Sequence, residues 1–318
     1  MECLRIKAPA HLHAGNMDLH GGFGRLFGTV GFTIDYPFIV VEVEKSRDIQ
    51  ADDPYAKRFA ESLVKSFETG GVVVRVRERF YENAGLGYIT TLGLSIGLGI
   101  SELYNLRKSL EEIALTIKRG LVTALGLYAC RYGGFIVEGG FRKELRDRSI
   151  PPLIFRGDIP DDWFFVVAVP ERPWRKLNKL RVSSEPKILE EVRASDEEAS
   201  YLSRLVLMKI IPSFIEKDLK SFGEGLTEFN RRLGYIWMKY QGGVYCDPLV
   251  ERGIEIMTRY TYAACQSSWG PTFYGITDSE ESAKRAVEEL EQLLRSNGGG
   301  VVFVTHGRNK GLEVESCG

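Results

Sequence analysis

The stretch Thr91–Tyr104, TLGLSIGLGISELY, is apolar on nearly every face. A helix with no polar stripe cannot lie on a surface, so the fold must bury this one on all sides. Gly93 and Gly97 stand four apart on one side and allow close backbone approach. Directly before it comes Gly85-Leu86-Gly87-Tyr88-Ile89-Thr90-Thr91. Two glycines and two threonines where a helix begins make a cradle for an anion, since free N–H groups and the helix dipole favour negative charge there. The threonine hydroxyls could also meet phosphate or a magnesium ion. No Gly-Lys-Ser/Thr follows, so this is not a Walker A loop. The alternative is an ordinary loop with a threonine cap.

Around this helix the pattern is mixed. Leu4–Lys7, Phe38–Val43, Val72–Phe80 and Phe135–Val137 read as strands, and Pro54–Glu68 as a surface helix. Ser109-Leu110-Glu111-Glu112 is a capping box that opens a helix ending near Gly120. Beyond Pro151-Pro152, Trp163–Val169 reads as a buried strand. Ser195-Asp196-Glu197-Glu198 opens a helix to Pro212, followed by a helical pattern to Tyr240. Phe273–Thr277 is a strand, Asp278 caps a helix Ser279–Ser296, and Val301–Thr305 is the last strand. The late βαα…βαβ order predicts an α+β sandwich of ferredoxin-like type. With 318 residues, two domains are expected, 1–158 and 159–318.

The bulk properties exclude more than they assign. A formal charge of −1 provides no field for nucleic acid or membrane. No apolar run approaches a spanning helix, and the N-terminus lacks a signal-peptide core. Five scattered cysteines without a CxxC pair predict reduced, buried thiols in a cytoplasmic protein. Abundant Glu and Arg with sparse Asn and Gln lean toward a heat-adapted chain.

Three further segments could carry chemistry. Gln266-Ser267-Ser268-Trp269-Gly270-Pro271-Thr272 gathers hydrogen-bonding side chains just before a strand, where a loop can set donors beside a ligand. Pro9–Arg25 holds His11, His13 and His20 of the four histidines, with Asp18 nearby. On a strand, His11 and His13 face one side and with Asp18 could bind a metal, although histidine pairs often serve only as hydrogen-bonded filling. Arg25, after Gly24, is a plausible clamp for phosphate or carboxylate. The basic run Arg172, Arg175, Lys176, Lys179 and Arg181 could steer an anion or simply be a solvated loop.

Taken in order, these segments resemble the GHMP superfamily, and within it the beta-ribofuranosylaminobenzene 5'-phosphate synthases of methanopterin biosynthesis. The block Ala8-Pro9…His13…Asp18-Leu19…Gly21…Gly24-Arg25 is similar to that family's opening. So are Gly85-Leu86-Gly87…Thr90, Tyr132–Gly140, Gln241-Gly242-Gly243 and, most specifically, Gln266–Gly275. The chain departs from the family pattern at His11, where Arg is usual, and at Tyr88-Ile89, where small residues are usual.

The resemblance implies an N-terminal domain like ribosomal protein S5 domain 2 and a C-terminal ferredoxin-like domain. It implies condensation of phosphoribosyl pyrophosphate with 4-aminobenzoate or 4-hydroxybenzoate, releasing carbon dioxide and pyrophosphate, with Mg2+ as cofactor and a homodimer as assembly. On that basis pyrophosphate is expected on Gly85, Gly87, Thr90 and Thr91, and magnesium at Asp18 and Thr91. His13, Asp18 and Arg25 are expected at the reacting groups, and Gln266, Ser267, Ser268 and Gly270 on the opposite wall. Two alternatives stand beside this reading. One is a small-molecule kinase of the same superfamily, weakened because Leu121–Tyr132 lacks the carboxylate such kinases often use. The other is a ligand-binding relative without catalysis.

Overall fold

The structure is a computed structural model and describes residues 2–146, 148–171, 185 and 187–318. Its backbone is a long hairpin, β1 (Cys3–Asp18) against β2 (Arg25–Ser46). Register shifts between Pro9 and His11 and between His13 and Gly15 break the period-two alternation. These two bulges are why the sequence pattern shows only short strand fragments here. β2 bends and serves several partners. One half pairs with β4 (Gly71–Glu78), which pairs in parallel with β3 (Gln50–Ala51). The other half pairs with β5 (Phe135–Glu138) and β6 (Phe141–Arg142), and β5 pairs with β7 (Leu153–Gly157).

Helix α1 (Pro54–Phe67) is capped by Asp53, whose carboxylate accepts from the Tyr55 and Ala56 N–H groups. Helix α2 (Tyr88–Leu103) is the all-apolar segment, with twelve of its residues buried. A methyl on Gly97 would lie 2.2 Å from Ile113 Cγ2, so the glycine is what lets α3 (Leu110–Thr116) pack against α2. The Ser109–Glu112 capping box forms as the sequence predicts. α4 (Leu125–Tyr132) follows.

The second sheet comprises β8 (Phe164–Pro170), β9 (Ala263–Gln266), β10 (Phe273–Thr277) and β11 (Gly300–His306), antiparallel in the order β11-β8-β10-β9. That is the ferredoxin-like order. Between β8 and β9 come α5 (Asp196–Leu205), a π turn at Val206–Ile210, a short helix Ile211–Ile215, α6 (Leu219–Gln241) and α7 (Pro248–Tyr260). α8 (Glu280–Ser296) links β10 to β11, capped by Ser279 and not by Asp278 as the sequence suggested. Both faces of this sheet are covered. Val166, Ala168 and Phe273 pack among residues of α7 and α8. Phe165, Val167 and Tyr274 face the main core, where the Phe32 ring of the hairpin lies 5.4 Å from Phe165 and 6.0 Å from Phe222 of α6. Each such buried ring contributes roughly 2–3 kcal/mol.

β12 (Glu313–Ser316) returns to the first sheet and pairs with β1, and Cys3 and Cys317 form a disulfide. This corrects the expectation of five reduced thiols. Cys130, Cys246 and Cys265 are buried and form no disulfide with one another. The run Arg172–Arg181 lies outside the described residues.

Candidate active site

A cavity of about 680 Å³ opens where the hairpin, the start of α2, the loop 118–123, α6 and the loop after β9 converge. Its frame is a set of buried hydrogen bonds. Asn230 of α6 donates from Nδ2 to the carbonyls of Ala14 and Gln266 (2.7 and 2.9 Å) and accepts the Gln266 N–H on Oδ1 (2.9 Å). One side chain thus ties α6 to β1 and β9. Gln266 accepts the Cys246 N–H (2.7 Å) and donates to the Ser268 carbonyl (2.9 Å). Ser267 donates to the Gly85 carbonyl (2.6 Å) and accepts the His13 N–H (3.0 Å). The Gln266–Gly270 segment is therefore a brace joining both sheets. Gln266 and Ser268 face the cavity, whereas Ser267 is fully buried. Gly270 lies behind the wall, and a Cβ there would meet Cys246 Sγ at 2.4 Å.

One wall is aromatic. Trp237 and Trp269 meet edge to face at 4.8 Å, and the Trp269 indole N–H donates to Glu185 Oε1 (3.1 Å). Three cations, Lys118, Arg119 and Arg148, also line the cavity. Arg119 Nε donates to Thr90 Oγ1 (3.2 Å). Desolvation lowers the Arg119 pKa, opposed by the Glu185 charge. Sequence reasoning missed these cations. The one signal was a Lys-Arg-Gly triplet closing a capped helix.

The glycine loop is closed by its own side chains. Gly87 has φ +84°, and the His11 ring covers it, so that a Cβ there would fall 1.9 Å from His11 Cε1. Tyr88 is 1% exposed, with its hydroxyl on Asp53 Oδ2 (3.4 Å) and its ring edge-on to Phe80. The Thr91 hydroxyl is buried and points to the Pro9 carbonyl (3.5 Å). Of the four residues expected to hold phosphate, only Thr90 lines the cavity, and Gly85, Gly87 and Thr91 do not.

The hairpin residues also part company. His13 lines the cavity, and burial lowers its pKa to about 4. Burial and the neighbouring His13 lower His11 to about 3, so both rings are neutral at pH 7. Asp18 spends Oδ1 on the His20 and Gly21 N–H groups (2.8 and 2.7 Å) in the hairpin turn. Arg25 donates to the Gly140 carbonyl (2.8 Å). Neither lines the cavity.

Magnesium therefore does not fit at Asp18 and Thr91, which point to separate partners. Among the described residues no His, Cys, Asp and Glu form a metal-holding group of three. One step behind the cavity wall, the buried Glu138 accepts the Thr29 and Gly140 N–H groups (3.0 and 2.6 Å), while Asn16 on the wall donates to Thr29 Oγ1 (3.2 Å). Burial pushes the Glu138 pKa up to about 7 against those donors.

Among the described residues no helix is long and apolar enough to cross a membrane. Residues 210–296 match the family model "GHMP kinases C terminal". Among solved structures, homoserine kinase from Cytophaga hutchinsonii superposes with a TM-score of 0.69 at 13% identity, covering 99% of this chain and 98% of that one. Mevalonate kinase from Methanococcus jannaschii gives 0.67 at 12%, covering 96% and 98%. These likenesses show the fold. The beta-ribofuranosylphenol 5'-phosphate synthase of Methanothermobacter thermautotrophicus is 30% identical over 97% of both chains. That of Archaeoglobus fulgidus is 30% identical over 98% of this chain and 99% of its own. By fold and by identity along its whole length, this chain belongs to the beta-ribofuranosylphenol 5'-phosphate synthase family, within the GHMP superfamily.

Proposed function

We propose that this chain is an enzyme that joins the ribose carbon of phosphoribosyl pyrophosphate to an aromatic acid, releasing pyrophosphate and carbon dioxide. The observation that carries the reading is the full-length match to relatives named for a ribosylphenol 5'-phosphate product. The name favours 4-hydroxybenzoate over 4-aminobenzoate as the aromatic partner, because the product ring bears a hydroxyl. The cavity suits two such substrates, with three cations and a tryptophan pair in its lining.

In the reaction the bond from ribose C1 to pyrophosphate breaks and C1 becomes cationic. The ring carbon bearing the carboxylate attacks it, and the new C–C bond forms. Carbon dioxide then leaves, and its bonding electrons restore the aromatic ring. The protein's part is to bind, orient and exclude water. Cations fixed beside the departing pyrophosphate stabilise its charge as it develops. The tryptophan pair offers the aromatic acid a flat apolar wall. His13, neutral at pH 7, can accept a hydrogen bond from the hydroxyl of the aromatic acid and so orient the ring.

The decisive experiment incubates the protein with phosphoribosyl pyrophosphate, magnesium and 4-hydroxybenzoate, and follows pyrophosphate and carbon dioxide. Equimolar release with formation of a riboside is expected. Phosphate transfer from ATP to an alcohol, without riboside formation, would replace this reading with a kinase.

A further inference from the structure

We propose that the pyrophosphate group of the substrate binds on Lys118, Arg119 and Arg148 with the Thr90 hydroxyl, and not on the glycine loop Gly85–Gly87. The identity of the anion rests on the reaction proposed above, but the cationic wall is a property of this chain whatever its reaction.

Two observations carry the assignment. First, the glycine loop is sealed. An anion touching Gly87 must displace the His11 ring, which is 9% exposed and hemmed in on its other side by Gly126, where a Cβ would lie 2.9 Å from His11 Cε1. Tyr88 cannot swing out without leaving its place against Phe80, where it is fully buried. Thr91 offers no hydroxyl to the cavity. Second, the neighbouring loop supplies what the sealed loop lacks. Lys118, just past the end of α3, has φ +53°, a left-handed turn that helices usually give to glycine, and it lies on the cavity wall. Arg119 follows it. Its Nε is held by Thr90, and among the described residues no hydrogen bond occupies its two terminal nitrogens, which form the fork that pairs with phosphate oxygens.

Glu185 sets the sign of a second consequence. It is the one carboxylate among the described residues lining the cavity, held there by Trp269, and it acts on Arg119 as an internal counter-charge. An incoming pyrophosphate must compete with it. Removing the charge at Glu185 should therefore tighten anion binding, whereas removing Arg119 should weaken it.

The test is calorimetric titration of the full-length protein with inorganic pyrophosphate, without magnesium or aromatic acid, so that turnover plays no part. Arg119→Gln and Lys118→Gln should each raise the Kd at least about tenfold, the loss expected for a charged hydrogen bond. Glu185→Gln should lower it severalfold. Arg285→Gln removes an equal charge from α8, remote from the cavity, and should leave the Kd unchanged. Thermal unfolding of each variant separates a lost contact from a lost fold, and Lys118→Gln keeps the test alive if Arg119→Gln does not fold. The assignment fails if the wild-type protein does not bind pyrophosphate. It also fails if Arg119→Gln binds within twofold of wild type, or if Arg285→Gln reproduces the loss. Riboside formation is assayed separately. The predicted binding pattern without any riboside would overturn the reaction and support the anion site. Normal riboside formation with an unchanged Kd in Arg119→Gln would do the reverse.

Discussion

Replacing Gly87 by alanine tests whether the glycine loop is sealed. At φ +84° an L-residue is strained by about 1–2 kcal/mol. The new methyl would also lie 1.9 Å from His11 Cε1, 2.4 Å from Nε2 and 2.5 Å from Nδ1. The ring is buried and closely approached by Gly126 as well, so the methyl meets a packed side chain. Overpacking of this kind costs about 1–3 kcal/mol. The single substitution should therefore destabilise by about 2–5 kcal/mol in all. In a His11→Ala background the ring is gone, the clash disappears and only the backbone term of about 1–2 kcal/mol remains. Urea unfolding of the wild type, the two single variants and the double variant gives the coupling between the sites directly. It should be about 1–3 kcal/mol, with His11→Ala relieving the cost of the alanine. Equal costs for Gly87→Ala in both backgrounds would show that His11 does not cover Gly87, and the loop would again be open to an anion.

Three more outcomes follow from buried groups and from the terminal bridge. Glu138 has a folded pKa near 7 against 4.5, so between those values the folded chain keeps a proton that the unfolded chain releases. Stability contributed at low pH is lost as pH rises through this window, by about 3 kcal/mol. The gap in unfolding free energy between wild type and Glu138→Gln should shift by that amount in favour of Gln, and a gap independent of pH would refute it. His11 acts in the opposite sense: below pH 6.5 the unfolded chain binds a proton that the folded chain refuses down to about pH 3. Urea titrations from pH 6.5 to 4.5 should therefore show His11→Asn losing less stability than wild type, by about 1.4 kcal/mol per pH unit. The Cys3–Cys317 bridge spans 314 residues, for which chain entropy gives about 5–6 kcal/mol and measured bridges typically give 2–4. Reduction or Cys317→Ser should lower the urea midpoint accordingly, and an unchanged midpoint would mean the bridge constrains nothing.

What the sequence could and could not show follows from how far each signal reaches. The all-round apolar helix at α2, the Ser109 capping box and the β-strand at Phe273–Thr277 are local patterns, and the structure keeps them. The hairpin from Cys3 to Ser46 appeared only as fragments because its bulges shift which side chains face inward. Cys3 and Cys317 are adjacent only because β12 returns to β1, a pairing no short window can reveal. At the cavity, the Gln266 segment was legible as a place, but not in its division of labour. Ser267 and Gly270 brace the fold, while Gln266 and Ser268 face the cavity. Thr90 and Thr91 look alike in sequence and differ by one helical step, which turns one hydroxyl to the cavity and the other to the Pro9 carbonyl. Lys118 and Arg119 drew no functional reading, since nothing local marks a cation as facing a cavity.

The two unusual features of the glycine loop and the cationic wall explain each other. Tyr88 and His11 fill the hollow at the start of α2 with rings, and burial keeps the imidazole neutral. The partial positive charge of that helix end then faces a neutral ring and gives an anion no direct purchase. Attraction must come from full charges nearby, and Lys118, Arg119 and Arg148 supply them from the next loops. Desolvation opposes the charge on Arg119 and Glu185 supports it, whereas a cation buried against the start of α2 would also oppose the dipole. Thr90 joins the two arrangements: it starts on α2, and its hydroxyl fixes Arg119. A chain that closes its glycine loop can thus keep an anion site at the same end of the same helix, built on side-chain cations in place of the loop's backbone.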